Sequence, residues 1–323
     1  MAMKKITRTS LLFSMLLLLS LAHQAQTLEI VSQDIPALAV RAPGEIRILS
    51  YNIKMLPRLL LPVRQGPIKR ARLLPEHLIK DDLDVIVFQE LFDVRSRRII
   101  RRKMRKAYPY HIGPANKPFA PFVTNSGIVI YSKFPLEKID RVRFQKREGI
   151  DRWAHKGGLL VEATLPNGQK FQVLGTHLQA GGSWNTKLSQ YIDLASIVLT
   201  NQKPGVPQFL AGDYNTSQND TLRYPMLLKV LDAVDDTIHG PVKYSADGKT
   251  NDLKNRGKSH LIDFILYRPN GITPLMMERY VRLYSERWCA EYCSLSDHNA
   301  ILMRVILPEP KIVFQQQEEG GDD

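Results

Sequence analysis

Apolar and polar positions along the chain recur at two periods. From Glu45 the period is two, with Ile46, Ile48 and Ser50 on one face and Arg47 and Leu49 on the other, which predicts a half-buried strand. Val85-Ile86-Val87-Phe88 is a short β-branched run suited to a buried strand. Over 94–106, Ile99, Ile100 and Met104 fall at helical spacing, and the pattern stops before Tyr108-Pro109. Ser126 to Tyr131 reads as a strand. Gly158 to Leu165 and Gln169 to Thr176 flank Pro166-Asn167-Gly168, a hairpin signal. Lys187 to Leu199 reads as a helix, and Gln208 to Ala211, Leu261 to Tyr267 and Asn299 to Leu307 read as strands. Helices and strands mixed with hairpins argue against a purely parallel doubly wound sheet. They fit an α/β (α+β) architecture of two mixed sheets packed face to face with helices outside.

The two ends of the chain read differently. Lys4, Lys5 and Arg8 precede Leu11 to Leu21, apolar except for Ser14 and Ser20, with Ala22 and Ala25 beyond. A basic start, a short apolar run and a small-residue exit read as a secretory signal peptide over 1–25. The run is about half of the roughly 20 apolar residues that a membrane anchor needs. A secreted protein, extracellular or in the cell envelope, is expected. Residues 26–44, with Pro36, Pro43 and Gly44, read as a linker. One catalytic domain is expected over 45–308, followed by a tail over 309–323 that is polar from 315 and reads as disordered. The length of 323 residues is ordinary for one such domain with flanking segments, and a monomer is expected.

Charge widens the field of partners. The formal net charge of +13 favours polyanions or anionic membrane surfaces. Arg95, Arg97, Arg98, Arg101, Arg102, Lys103, Arg105 and Lys106 crowd one predicted helix, which fits a solvated face, a lipid surface or a nucleic-acid backbone. Cys289 and Cys293 close too small a loop for a disulfide to add much stability, and they read as a local clip or as two free thiols. Trp288 and Tyr292, in the same loop, are candidates for an interfacial contact or for core packing.

The candidate chemistry lies at strand ends. Asn52 ends the first strand, Gln89-Glu90 the second and Thr176-His177 another; Asp213-Tyr214-Asn215 follows Phe209-Leu210-Ala211, and Asp297-His298 precedes the last strand. Asp263 sits inside an apolar strand, where a carboxylate is costly unless paired. Together they suit phosphodiester hydrolysis, which needs a hard cation, an activated water and stabilisation of a crowded phosphoryl transition state. Glu90, Asp297 and Asn52 offer hard oxygen ligands for Mg²⁺. His298 is a candidate base oriented by a carboxylate such as Asp263, with an acid limb near ~6.5 if its pKa is ordinary. His177, Asp213 and Asn215 are candidates for binding phosphoryl oxygens or serving the leaving group. Lys156-Gly157-Gly158 is a candidate phosphate contact.

In this order, Ser50-Tyr51-Asn52, Gln89-Glu90, Ser126-Gly127, Gly175-Thr176-His177, Gly212-Asp213-Tyr214-Asn215, Ile262-Asp263-Phe264 and Ser296-Asp297-His298 resemble the signature of the endonuclease/exonuclease/phosphatase superfamily. Tyr214 stands where that signature usually has phenylalanine. The resemblance implies a four-layer sandwich and metal-dependent phosphoester hydrolysis. It implies Glu90 as main metal ligand with Asn52 beside it and Asp297 on the metal side. It further implies His298 as base, Asp263 as its orienting carboxylate, and His177, Asp213 and Asn215 as transition-state and leaving-group residues. Within the superfamily, Ser50 to Pro57, Phe88 to Asp93, Trp153 to Gly158 and Thr176 to Ala180 are similar to segments of bacterial neutral sphingomyelinases. That likeness implies sphingomyelin as substrate at a phospholipid surface, for which the candidate contacts named above are Lys156 and Trp288. Gln89 departs from those enzymes and matches nuclease-like members, which leaves nucleic acid as the alternative substrate.

Overall fold

A computed structural model describes residues 38, 40–57, 66–116, 124–254, 257 and 259–309. The segment read as a signal peptide and the polar tail lie outside the described residues. Among the described residues, no helix is long and apolar enough to cross a membrane.

The chain runs β1 (Glu45–Met55), α1 (Pro67–Lys80), β2 (Val85–Leu91), α2 (Val94–Met104), β3 (Tyr110–Ile112), β4 (Val129–Ser132) and β5 (Leu136–Arg143). A short 3₁₀ turn (Gly149–Trp153) leads into β6 (Gly157–Thr164), then β7 (Lys170–His177), α3 (Trp184–Thr200), β8 (Gln208–Asp213) and α4 (Arg223–Leu231). The short strands β9 (Ile238–His239), β10 (Ala246–Asp247) and β11 (Ser259–His260) precede β12 (Asp263–Arg268), β13 (Met276–Arg282) and β14 (Ala300–Ile306). A seven-stranded sheet has the order β3-β4-β2-β1-β14-β13-β9, and a five-stranded sheet the order β12-β8-β7-β6-β5.

The period-two pattern of β1 sets the layers. Leu49, Tyr51 and Ile53 share a core with Ala71, Leu74 and Leu78 of α1 and Ile100 and Met104 of α2. Ile46 and Ile48 face the other way, into a core with Val85, Val87, Ile130, Leu160 and Val173, which Tyr191 and Leu194 of α3 and Leu227 of α4 extend. The result is helix, sheet, sheet, helix, a four-layer α/β sandwich. Gly175 keeps the sheets close: a Cβ there would lie 2.8 Å from Val87 Cγ1. Asp93 caps α2 by accepting from Ser96 N at 2.7 Å, and Ser183 caps α3 by accepting from Thr186 N at 3.2 Å.

Besides the short strands β3, β9, β10 and β11, four elements escape the hydrophobic pattern. In α1, Pro75 inside the helix and the buried Arg70 interrupt the apolar stripe. Arg70 is buried because its guanidinium donates to the carbonyls of Ile53, Lys54 and Leu295. In α4, nine residues make only about two and a half turns, and Pro225 in the first of them reads as a breaker. Strands β5 and β13 are largely half-exposed, so charged residues break their alternation.

Each sheet has a parallel pair near its middle, β1 with β2 and β7 with β8. Each pair is flanked by an antiparallel strand, β14 beside β1 and β12 beside β8. The carboxyl ends of the parallel strands therefore share a rim with the amino end of the antiparallel neighbour.

At the other end of β1, Arg47 stands opposite Arg304 of β14, a like-charge pairing that needs compensation. Glu45 supplies it, accepting from Arg47 Nε at 2.7 Å, Arg304 Nε at 2.9 Å and Nη2 at 2.8 Å, and Ala42 N at 3.0 Å. The preceding stretch is held as well, since Arg41 Nη1 donates to Asp84 Oδ1 at 3.0 Å. Burial alone would raise the pKa of Glu45, but the hydrogen bonds from Arg304 and Arg47 hold it at about 2. Because the folded value lies below that of the unfolded chain, the stabilisation is complete above about 4.5 and fades as pH falls toward 2. Urea melts should show Glu45→Gln less stable by about 2–3 kcal/mol at pH 7, the usual worth of lost hydrogen bonds to charged groups. The gap should close steadily below pH 4.5; a gap that stays constant down to pH 3 would exclude Glu45 as a charge clamp.

Candidate functional site

The polar residues of the strand ends meet at the shared rim. Asn52 lies on the inward face of β1, two steps beyond Ile48 and Ser50. Its amide nitrogen donates to Glu90 Oε1 at 3.0 Å and, across the sheets, to Asp213 Oδ2 at 3.0 Å. Its oxygen accepts from Lys54 N at 3.2 Å. Strict alternation after Ile86 and Phe88 would aim Glu90 at the helices. Instead its backbone is left-handed (φ 56°), and the β1–β2 register shifts between Asn52 and Met55. The bulge turns the carboxylate back toward Asn52. Lys54 (φ 45°) and Asn215 (φ 47°) are left-handed too. Such a conformation costs roughly 1–2 kcal/mol for an ordinary L-residue.

Asp213 ends β8, with His177 of β7 and Asp263 of β12 as its register partners. Its Oδ2 lies 3.5 Å from His177 Nε2 and 4.0 Å from His298 Nε2, and its Oδ1 accepts from Asn215 N at 2.9 Å. His298 Nδ1 is 2.8 Å from Asp263 Oδ2, and Asp263 N donates to Ser245 Oγ at 3.1 Å. Ser296 Oγ donates to Asn52 O at 2.6 Å, tying the approach to β14 onto β1. Lys156 Nζ reaches Asp151 Oδ2 at 3.0 Å, His177 Nε2 at 3.0 Å and Leu178 O at 3.2 Å.

Burial and charge bias each titratable group. Burial pushes the Glu90 carboxyl up, and the nearby Asp297 pushes it further. Burial, then Asp263, raises Asp213 to about 6. Burial and the Lys156 ammonium hold His177 well below an ordinary histidine. Burial would lower His298 as well, but the carboxylate of Asp263, with those of Asp213 and Asp297, raises it to about 10. Burial would raise Asp297, but His298 and Lys54, whose Nζ lies 2.6 Å away, keep it below the usual carboxylate range.

Asn52, Glu90, Lys156, His177, Asp213, Asp263 and His298 thus form one connected cluster, with Asp297 beside it. Asn215 joins it through the backbone, while its side-chain nitrogen donates to Leu178 O at 3.2 Å. Trp288 does not join. It is 8% exposed and stacked on Tyr292, and its Nε1 donates to Ser294 O at 2.9 Å. This corrects its assignment as a substrate contact: the indole is consumed by packing, with a partner already on its only donor. Gln89 does not face the cluster's carboxylates, because its amide nitrogen donates to Ser50 Oγ and Val87 O. Cys289 and Cys293 are free thiols.

Lys54, Asp151, Lys187, Ser245 and Ser296 were not legible as site residues. Lys187 Nζ, buried on α3, donates to the carbonyls of Gln179, Tyr214 and Asn215, and so braces the loop that follows Asp213. Burial lowers it to about 7. Lys54 and Ser296 lie inside sequence motifs, and that proximity was the available signal; the others are brought in only by folding.

Among the described residues, one group of oxygen and nitrogen donors is close enough to hold a cation, and two further carboxylates stand beside it. Ligand atoms of Asp213, Asp263 and His298 lie within 4.8 Å of one another. The side chains of Glu90 and Asp297 are more accessible, at 19% and 12%, and their mutual repulsion is what a divalent ion would relieve. In the first group His298 spends Nδ1 on Asp263, which leaves only Nε2 of its ring for an ion.

Residues 49–298 match the model of the Endonuclease/Exonuclease/phosphatase family. The chain is 29% identical over 282 residues to Sphingomyelinase C of Leptospira interrogans, a match that takes in 78% of this chain and 50% of that relative. The chain therefore spans about half the length of that curated protein. Among solved structures, a beta toxin mutant of Staphylococcus aureus with bound magnesium ions superposes with a TM-score of 0.72 at 23% identity, covering 80% of this chain and 99% of that one. TDP2 of C. elegans superposes with a TM-score of 0.61 at 22% identity, covering 82% and 76%. The matched span encloses every strand end that builds the rim, from Asn52 to His298, and the chain belongs to the Endonuclease/Exonuclease/phosphatase family.

Proposed function

We propose that this chain is a secreted, divalent-metal-dependent phosphodiesterase that hydrolyses sphingomyelin to ceramide and phosphocholine. The observation that carries the reading is the cross-sheet cluster in which Asn52 holds Glu90 and Asp213 while Asp263 holds His298. The sphingomyelinase likeness over most of the chain supports the substrate, and the magnesium in a structural neighbour supports the metal. Glu90 and Asp297, with Asn52 beside Glu90, would hold the ion. When bound, it supplies a Lewis acid that draws charge from a phosphoryl oxygen and strengthens the leaving group. His298, turned by Asp263, takes the proton from the attacking water at Nε2, and it does so only from the neutral ring. Lys156 and His177 face the phosphoryl oxygens. Asp213, raised toward neutrality, is the carboxyl suited to proton traffic at the departing oxygen.

The basic face of α2 favours a second reading. Arg95, Arg98, Arg101, Arg102 and Lys103 are exposed on it, and Arg105 and Lys106 just past its end, which suits a nucleic-acid backbone. The purified protein should be assayed on sphingomyelin, other phospholipids and duplex DNA, each with Mg²⁺ or with EDTA. Turnover of sphingomyelin that EDTA abolishes and Mg²⁺ restores is expected. Cleavage of DNA alone would replace the lipid reading with a nuclease, and full activity in excess chelator would remove the metal.

Glu90→Gln should leave the fold intact while lowering both activity and the affinity for Mg²⁺, read by titration calorimetry. An unchanged Mg²⁺ affinity would take Glu90 out of the metal site.

For the base, the sign follows from the pairing. Asp263 favours the charged ring, so the folded pKa of His298 lies above 6.5 and activity falls as pH drops through it. Asp263→Asn should move the acid limb of kcat/KM to lower pH. His298→Ala should lower kcat by roughly 10² or more, the usual scale for a general base. A His298→Ala rate within a few-fold of the parent would rule out this role.

A further inference from the structure

The 3₁₀ turn Gly149–Trp153 exposes two large apolar side chains beside the catalytic cluster, Ile150 at 82% and Trp153 at 58%. Single exposed apolar residues are ordinary on a protein surface, and Leu275, at the opposite end of β14 from His298, is one. The turn differs in its position and its stiffness. Between the two exposed residues, Asp151 points inward, accepting from Lys156 Nζ at 3.0 Å and Ala180 N at 2.9 Å, and Lys156 touches His177. The turn is therefore a wall of the site on one side and an apolar tip on the other. It is also pinned. Trp153 O accepts from Thr124 N at 2.8 Å, Ala154 O accepts from Arg147 Nη1 at 3.0 Å, and Arg152 Nε donates to Arg147 O at 3.4 Å.

The charges beside the tip select its partner. Lys146 and Arg152 are exposed. The nearby acids are spent: Asp151 on Lys156, and Glu148 on Ser183 and Thr186 at the cap of α3. A rigid aromatic and an aliphatic tip flanked by cations match a bilayer interface, where the rings sit at headgroup depth and the cations meet phosphates. A pinned tip also loses little conformational freedom on docking.

We propose that Ile150 and Trp153 are the site's lipid-docking contact, seating the phosphodiester cluster on a phospholipid surface. The inference rests on the lipid reading above and names the surface that serves it. It also assigns the interfacial aromatic to this turn, since Trp288 is packed in the core.

The test uses the full chain carrying Ile150→Ser and Trp153→Ser. It is sedimented with vesicles of sphingomyelin, phosphatidylcholine and phosphatidylserine in EDTA, so that no lipid is consumed. Binding should fall by roughly ten-fold or more, the scale expected for losing two interfacial apolar side chains. The loss should persist in about 1 M salt, where screening leaves charge attraction only a few Å of reach. The thermal melt and the Mg²⁺-dependent rate on a soluble phosphodiester should stay within two-fold of the parent. In a separate variant, Trp153→Leu, the blue shift of tryptophan emission on vesicle addition should disappear. Wild-type protein that does not bind vesicles overturns the proposal. So does a double variant that binds like the parent, one whose soluble rate falls in step with binding, or a Trp153→Leu variant that keeps the emission shift. Protein that docks through Trp153 yet cleaves no sphingomyelin would sink the substrate reading and leave the docking contact standing. Sphingomyelin cleavage by a parent whose double variant binds equally well would sink the contact alone.

Discussion

The hydrogen bond from Asn52 to Asp213 is the polar link on which the site depends, because it joins the two sheets where their apolar interface gives out. A carboxylate buried between sheets is tolerated only with partners. Asp213 has the Asn52 amide from one sheet, the Asn215 backbone N–H from its own loop, and the His177 and His298 rings nearby. Each partner is committed in turn, Asn52 to Glu90 and His298 to Asp263. Moving any one exposes another, so the cluster specifies how the sheets align as well as what they do.

The same crowding explains the electrostatics. Burial, and then Asp297, pushes Glu90 up, while the carboxylates of Asp263, Asp213 and Asp297 push His298 up against the effect of its own burial. The protein's own charges thus bias the cluster against the state that the proposed chemistry needs. A divalent ion beside Glu90 and Asp297 is the kind of charge that reverses the bias, which makes metal dependence a property of the whole cluster. The left-handed backbone at Lys54, Glu90 and Asn215 belongs to the same design. Regular strands would send Glu90 toward the helices, and the cost of the bulge is offset by the contacts it permits.

Alternation of Ile46, Ile48 and Ser50 against Arg47 and Leu49 is enough to place Asn52 on the inward face, because the side-chain period of a strand is two. The hairpin at Pro166-Asn167-Gly168 and the helices around Ile100 and Leu194 were legible for the same local reason. Elements whose sequence is shaped by partners far along the chain were not. Strand β13 is charged because it is half exposed, with Glu278 reaching Arg304 across the ladder, and α1 carries Arg70 because three distant carbonyls receive it.

For the site, the sequence determined which residue types stand at strand ends, and so the inventory of carboxylates, imidazoles and amides. Only the tertiary structure decided their relations: Asn52 turning its nitrogen to Glu90 and Asp213, Lys54 taking Asp297, and Asp151 and Lys156 closing on His177. It also decided which aromatic is free, burying Trp288 under Tyr292 and leaving Trp153 in solvent. The physical reason is range. Periodicity and turn chemistry act over a few residues, whereas burial, pairing and pKa depend on groups that the fold brings together from far along the chain, Lys54 and Asp297 being 243 positions apart.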